Sequence, residues 1–305
     1  MSPIVVLQQM FVIFALMMVG MIAGRKGKLT EETSRNISWL VVNICGPAMV
    51  MNSVLNGTSA TKESVLLVGG IVLIIYAVLI LLSYVMPILL QADSDDRVIY
   101  QMMTIFGNIG FIGYPVITAL LGADALIYAA VFNLVFNVLM YTYGSFIMRR
   151  AAGKNKSQGG NSILNAGTVS CVLAIVIFWF EIPVPSPVCS FVAYMGDAAV
   201  FLSLIVIGES LVHIKVKEIF EDRRMLLFVA LRYILFPIAA AFILKFLVAD
   251  PQIRGVSVLL VAMPAATFIT MFAKQYEMEE TTIVKGTVLT TLLSVVTVAI
   301  VGVFI

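Results

Sequence analysis

Apolar segments of about 20 residues recur along the whole chain, and this feature constrains the fold most. Each is long enough to cross a hydrocarbon layer of roughly 30 Å as an α-helix. The chain is 61% hydrophobic and only 12% charged, whereas soluble domains are about 45–50% apolar and 25% charged. We therefore predict an all-α polytopic membrane protein whose first segment is retained. The predicted transmembrane helices, segments 1 to 10, are 4–24, 34–55, 64–87, 98–121, 125–148, 163–181, 187–212, 224–248, 253–275 and 281–304.

Other classes of protein find little support in the composition. The three cysteines lack the spacing of a metal site, and the single histidine, His213, falls at the end of segment 7. An intramembrane enzyme would need a nucleophile with a base, or a metal with its ligands, and neither arrangement is visible. No basic cluster with interleaved aromatic residues is present. We expect no enzyme activity, no metal or other cofactor and no nucleic-acid partner.

Basic residues predict the orientation of the chain. Fifteen of the 19 Lys and Arg residues follow odd-numbered segments, so the positive-inside rule places both termini outside the cytoplasm. Residues 151–162 form a polar, basic linker near the midpoint. We expect 1–150 to be a first five-helix repeat, 151–162 a cytoplasmic linker and 163–305 a second repeat, all within one membrane domain. Because five is odd, the second repeat is inverted, as in many secondary transporters.

Glycine and proline interrupt three of the predicted helices. Gly46 and Pro47 lie in the middle of segment 2, and Pro264 lies near the middle of segment 9. Segment 4 is interrupted more heavily, and the residues expected to break its helix are Gly107, Gly113 and Pro115. Non-helical backbone inside a bilayer is tolerated where protein or a water-filled cavity surrounds it. Breaks at corresponding places in segments 4 and 9 therefore predict a substrate site; proline kinks that serve packing alone are the alternative.

The residues around these breaks are the candidate ligand contacts. Half-helices that begin after a break can direct free backbone N–H groups and the positive ends of their dipoles at an anion. The Asn108 side chain can both donate and accept hydrogen bonds. The hydroxyl of Thr267 could do the same or could bond its own helix. The predicted substrate-binding residues are Asn108, Ile109, Gly110, Pro264, Ala265, Thr267, Asn43 and Pro47.

Three ionisable residues inside predicted helices are further candidates, since charged groups are costly in a bilayer. Asp197 lies near the middle of segment 7, where burial would favour the protonated form and make it a proton carrier. A structural hydrogen bond is the alternative role. Arg232 could extend to the membrane interface, pair with Glu209 or attract an anionic substrate.

Four segments of the chain resemble the auxin efflux carrier family, which contains plant auxin exporters and bacterial permeases for small organic anions. The basic central linker and the number of predicted helices are similar to its short bacterial members. Two positions depart from the family pattern, since Val200 and Gly107 stand where proline is common. The similar segments are 108–122, 196–199 with Gly208, Met263-Pro264 with 272–276, and Gly46-Pro47.

The resemblance implies a secondary active transporter of the cell (inner or plasma) membrane. Its substrates would be small organic anions, such as mono- or dicarboxylates or indole acids, bound where segments 4 and 9 cross. Segments 1, 2, 6 and 7 would form a scaffold and the others a moving transport domain. A proton is a candidate coupling ion, and a homodimer is an alternative to a monomer. A sodium-coupled anion symporter of related fold and a channel remain the alternative functions.

Overall fold

A computed structural model describes residues 3–55, 60–153, 166–210, 212, 222–266, 269, 278 and 281–304. This part of the chain consists of helices joined by turns and short connections, with one isolated β-bridge. The α-helices are α1 (Pro3–Arg25), α2 (Glu31–Leu40), α3 (Gly46–Leu55), α4 (Lys62–Leu89), α5 (Ser94–Ile105), α6 (Tyr114–Leu121), α7 (Leu126–Leu139), α8 (Ser145–Ala151), α9 (Ala166–Phe180), α10 (Ser186–Ser210), α11 (Arg223–Val229), α12 (Phe236–Leu247), α13 (Pro251–Ala262) and α14 (Thr281–Gly302).

Several helical stretches are long and apolar enough to cross a membrane. Within the described residues they number five, or six when the stretch bent by 48° in α14 is counted. Shorter apolar helices occur as well, among them the end of α1, α9, α13 and the stretch Ile109–Leu121. The all-helical membrane class is therefore confirmed, while the ten-helix inverted repeat stays a prediction. The qualifying stretches are Glu32–Leu55, Lys62–Leu89, Ala123–Ala151, Ser186–Glu209, Arg223–Leu247 and the bent pair Lys285–Ser294 with Val296–Gly302.

Large apolar side chains are exposed on the outside of the helices. Ile88 in α4 and Phe246 in α12 are examples, with 72% and 84% of their surface accessible. Exposing apolar surface to water costs about 25 cal/mol of free energy for each Å², whereas contact with lipid tails carries no such cost. Some polar side chains, such as Asn108 and Arg232, instead lie inside, next to the points where helices are interrupted. This distribution fits a bilayer around the molecule.

Proline is accommodated in segment 2 without a break, contrary to expectation. The helix continues from α2 to α3 through a π-helical turn, Val41–Cys45, in which the Gly46 N–H bonds the Val41 carbonyl. A wider turn relieves the loss of the proline N–H and its clash with the preceding turn. A similar turn, Ala230–Leu235, directly precedes Pro237 and joins α11 to α12. Pro47 therefore modifies its helix locally without ending it.

Segments 4 and 9 are interrupted, and the two interruptions touch. Helix α5 ends at Ile105 and α13 ends at Ala262, each followed by extended backbone. The Asn108 N–H donates to the Pro264 carbonyl at 2.7 Å, and the Ala266 N–H donates to the Phe106 carbonyl at 3.0 Å. This short antiparallel bridge satisfies backbone groups that have left their helices. We call 106–108 together with 263–266 the crossing.

Glycines allow α1, α3 and α10 to approach closely. A Cβ atom on Gly20 would meet the backbone of Ile205, and one on Gly208 would meet the backbone of Met17. Gly196 faces the backbone of Met49 in α3 in the same way. Small residues at helix contacts are typical of membrane proteins, because close backbone approach replaces the hydrophobic driving force. These helices thus form one tightly packed unit.

Two exposed ion pairs link connections that are distant in sequence. Lys62 at the start of α4 bonds Glu181 after α9, with 2.8 Å between Nζ and Oε1. Arg224 in α11 bonds Asp93, which precedes α5, with 2.9 Å between Nη1 and Oδ2. Each pair joins two connections predicted to lie on the same side of the membrane. Most of the predicted linker, 154–162, lies outside the described residues.

Candidate functional site

A cavity of about 590 Å³, partly open to the surroundings, lies at the crossing. This volume includes the space that opens to the surroundings. None of its described lining residues is charged. The lining residues are Val41, Gly46, Pro47, Val50, Gly107, Asn108, Ile109, Gly110, Phe111, Tyr114, Asn133, Phe136, Asn137, Gly167, Ser170 and Ala266.

Asn108 is the best-defined polar group of this cavity. Its side-chain oxygen accepts a hydrogen bond from the Phe111 N–H at 3.1 Å, as an N-cap does. This bond fixes the orientation of the amide, so the Nδ2 donor faces away from the turn. Although Asn108 is only 4% exposed, Nδ2 has no hydrogen-bond partner. A buried donor left unpaired costs about 1–3 kcal/mol, which an acceptor in the cavity would recover.

The turn after Asn108 presents backbone to the same cavity. Ile109–Gly113 is a π-helical turn that leads into α6. Gly110 lines the cavity, and a Cβ atom added there would meet no atom within 4 Å. Gly113 lies on the opposite side, where an added Cβ would be 2.9 Å from Leu260 Cδ2. Contrary to prediction, Gly113 and Pro115 do not break the helix, which continues from Ile109 to Leu121 because Pro115 falls in the first turn of α6, where its N–H is not needed. Pro115 is buried and does not line the cavity. Backbone at the positive end of a helix therefore borders the empty space.

Polar residues from other helices complete the cavity, and the sequence analysis missed them. Asn133 and Asn137 come from α7, Ser170 from α9 and Tyr114 from α6. The Asn137 side chain donates to the Asn133 carbonyl at 2.8 Å. The buried Tyr114 hydroxyl has no hydrogen-bond partner of suitable geometry. Two asparagines one helical turn apart in an apolar segment are a signal that could have been used.

The interruption of segment 9 mainly holds the interruption of segment 4 in place and contributes little to the cavity lining. The Pro264 carbonyl holds the Asn108 N–H, and Ala265 forms the bridge with Gly107. The Ala265 N–H also donates to the Thr290 hydroxyl at 3.1 Å. Within the described part of this interruption, only Ala266 reaches the cavity. Thr267, and the segment 272–276 that carried part of the resemblance, lie outside the described residues.

Segment 2 contributes some, but not all, of its predicted residues to the cavity. Gly46 and Pro47 line the cavity. Asn43 does not, because it lies on another side of the helix and its side chain donates to the Trp39 carbonyl at 2.8 Å. This bond within the helix satisfies the amide without a ligand.

Asp197 is exposed on α10, and the expectation that it is buried is wrong. Only its neighbour Gly196 faces the protein, against Met49. An apolar helix without clear periodicity does not show which side faces inward, so position near the middle was insufficient to predict burial. Glu209, by contrast, is buried, with its Cγ near Gly24 of α1.

Arg232 is buried at the crossing and does not extend to the membrane interface. It is 1% exposed, and its Nε donates to the Thr104 carbonyl at 2.6 Å. Its Nη1 donates to the Val261 carbonyl at 2.8 Å. These hydrogen bonds go to backbone and not to Glu209, so the predicted pairing is replaced by contacts with the ends of α5 and α13.

Within the described residues, no group of three or more His, Cys, Asp or Glu side chains is arranged to hold a metal ion. The polar atoms of the cavity are amides, hydroxyls and backbone. Such a site can orient a ligand through hydrogen bonds and dipoles, and it offers no evident nucleophile paired with a base.

The sequence profile of a family described as "Membrane transport protein" matches residues 5–162 and 155–301. The chain belongs to this family. The resemblance to auxin efflux carriers is thereby confirmed. A protein described as an uncharacterized transporter from Methanocaldococcus jannaschii is 25% identical, over 95% of this chain and 96% of its own length. Another such transporter, from Methanothermobacter thermautotrophicus, is 20% identical over 93% of each chain. Membership of the membrane transport protein family indicates a multi-pass membrane transporter.

Proposed function

We propose that this protein is a secondary active transporter of small organic anions, such as mono- or dicarboxylates or indole acids, and that the cavity at the crossing binds them. The observation that carries the proposal is the unpaired Nδ2 donor of Asn108 beside an empty cavity. Family membership supports transport, while the chemistry of the cavity supports the class of substrate.

The donors around the cavity favour an acceptor-rich ligand. Asn108 Nδ2 and the Tyr114 hydroxyl are buried without hydrogen-bond partners of suitable geometry, and Gly110 opens the start of a helical turn to the same space. Hydrogen bonds to a charged group are worth about 1.5–3 kcal/mol, roughly twice the neutral value. A carboxylate can accept several of them at once. Apolar side chains such as Val50 and Phe136 would contact the remainder of the substrate.

The alternative of a sodium-coupled symporter receives less support from the crossing. Sodium would need several oxygen ligands, as hard cations generally do. The carbonyls of Phe106, Gly107 and Pro264 already accept backbone N–H bonds. Proton coupling through Asp197 is not part of the proposal, because this residue is exposed away from the cavity.

We place the protein in the cell membrane with two inverted five-helix repeats, 1–150 and 163–305, and both termini outside the cytoplasm. The basic asymmetry of the connections supports this orientation. The pairs Lys62–Glu181 and Asp93–Arg224 are consistent with it, since each joins connections assigned to one side. Segments 1, 2, 6 and 7 would form the scaffold, and the crossing would move relative to it.

A homodimer is supported by the outer face of α10. Asp197 lies on this face with Phe191, Tyr194 and Phe201, and Tyr194 is 79% exposed. A carboxylate that faces lipid near the middle of a helix is costly, and a second copy of the chain would cover it. Single-molecule photobleaching in liposomes should show two subunits per particle; particles with one bleaching step only would exclude the dimer.

The substrate class is tested by a thermal-shift screen of the purified full-length protein. Malate, malonate, lactate and indole-3-acetate are compared with their uncharged amides. A ligand that binds only the folded state stabilises it in proportion to ln(1 + [L]/Kd), so at least one carboxylate should raise the melting temperature more than its amide does. Shifts by the amides alone would contradict an anion site and leave transport of neutral solutes.

A further inference from the structure

Arg232 is a buried guanidinium that shares its two hydrogen bonds between two interrupted helices. Thr104 belongs to the last turn of α5, and Val261 belongs to the last turn of α13. The neighbouring Tyr233 hydroxyl donates to the Met103 carbonyl of α5 at 2.7 Å. Carbonyls of a last helical turn have no partner within their own helix. Arg232 and Tyr233 therefore satisfy groups that the crossing leaves free inside the membrane.

Within the described part of the chain, no carboxylate forms an ion pair with this arginine. The ion pairs among the described residues join Lys62 to Glu181 and Arg224 to Asp93, and neither includes Arg232. Its guanidinium lies instead over the rings of Tyr233 and Phe236, at 4.9 and 5.5 Å from their centroids. A guanidinium is not deprotonated in proteins. Arg232 is thus a permanent charge whose compensation comes from helix ends and ring faces.

The described helix ends at the crossing leave a net negative charge that a cation can offset. The carbonyl ends of α5 and α13 each carry about −0.5 of an elementary charge, and the start of the turn after Asn108 carries about +0.5. These three ends together are negative by about half a charge and would oppose an anion. Adding Arg232 makes the sum positive by about the same amount.

Arg232 is close enough to act on the cavity without touching it. A small second cavity beside Arg232 is also lined by Gly107 and Ile109. Both residues line the main cavity as well, so one layer of backbone separates the guanidinium from the proposed substrate. Arg232 does not line the main cavity.

We propose that Arg232 is a positioning residue whose fixed charge gives the main cavity its preference for anions over neutral analogues. This inference rests on the proposed function. One unit charge acting over about 10 Å at an effective dielectric constant of about 20 changes the affinity for a monovalent anion roughly tenfold. A neutral ligand of the same shape would be little affected.

The test compares an anion with its amide in charge-changing variants. Indole-3-acetate and indole-3-acetamide are titrated calorimetrically into the full-length protein, and the ratio of the two dissociation constants is the readout. Arg232→Gln keeps donor groups but removes the charge, and we expect it to weaken binding of the acetate about tenfold and of the amide less than twofold. Arg232→Lys keeps the charge and should retain the preference. Arg254→Gln is the matched control, since Arg254 also bonds a carbonyl but lies at the other end of α13.

An unchanged ratio in folded Arg232→Gln protein would overturn the inference, because a purely structural role weakens both ligands equally. If the glutamine variant does not fold, Arg232→Lys decides, and loss of the anion preference with the charge retained overturns the inference. Wild-type protein that binds the amide as tightly as the acetate would contradict the proposed function itself. These outcomes distinguish the two claims.

Discussion

Replacing Asn108 by aspartate separates its role in the fold from its role toward the ligand. The side-chain oxygen caps the Phe111 N–H, while Nδ2 has no partner and belongs to a residue that lines the cavity. Aspartate is as good an N-cap as asparagine, whereas alanine loses the cap at a cost of about 0.5–2 kcal/mol. Asn108→Asp therefore retains the cap that Asn108→Ala loses, but an ionised carboxylate at this buried position adds a cost of its own and lowers the melting temperature as well.

Ligand binding should respond differently. Asn108→Asp loses a donor to a charged acceptor and adds a carboxylate that repels the anion; the lost donor alone is worth about 1.5–3 kcal/mol, so the dissociation constant should rise at least about 10- to 100-fold. The assay is titration of the carboxylate that stabilises the wild type most. Asn43→Asp is the control, because Asn43 bonds its own helix outside the cavity. Wild-type affinity in Asn108→Asp protein would refute the assignment of Asn108 to the site.

Other predictions concern the cavity, the packing and the surface. Tyr114→Phe removes a buried, unpaired hydroxyl, so the ligand-free protein should melt at or above the wild-type temperature while the ligand-induced shift becomes smaller. Gly196→Ala should destabilise by about 1–3 kcal/mol, because its Cβ would lie 2.9 Å from Met49 Cα; Gly70→Ala, which meets no atom within 4 Å, should not. Lys62 lowers the pKa of Glu181, so the small stabilisation lost in Glu181→Gln should be present at neutral pH and disappear as the pH falls below about 4, the ordinary range of a glutamate. A difference between the two proteins that persists in acid would contradict this assignment, and melting curves at several pH values measure it.

The interruptions of segments 4 and 9 were predictable because they depend on the helix propensity of the residues at the interruption itself. Gly107 and Pro264 lie at the two interruptions and disfavour a helix whatever surrounds them. Pro47 shows the limit of this reasoning. A π-helical turn absorbs it, and the choice between a turn and a break depends on the packing of neighbouring helices, which a local pattern does not contain.

Which residues meet across the protein was less predictable. Asn108 lies in the cavity as expected, but Asn133 and Ser170 join it from other helices. Asp197 and Arg232 both lie inside predicted apolar segments, yet Asp197 is exposed and Arg232 is only 1% exposed at the crossing. Nearly uniform apolar composition hides which face of a helix is buried. Arg232 donates to the backbone carbonyls of Thr104 and Val261. Every residue has a backbone carbonyl, so the residue types at these positions do not indicate the contact.

The most direct test of the central claim, a carrier for organic anions, is counterflow in proteoliposomes. Liposomes loaded with the unlabelled carboxylate that stabilises the protein are diluted into the same labelled carboxylate. The account predicts saturable uptake that internal substrate accelerates and that Asn108→Asp slows at least tenfold at substrate concentrations below the Michaelis constant, since its proposed binding loss of about 1.5–3 kcal/mol acts there. Uptake that rises linearly with concentration and ignores internal substrate would indicate a channel and contradict the account.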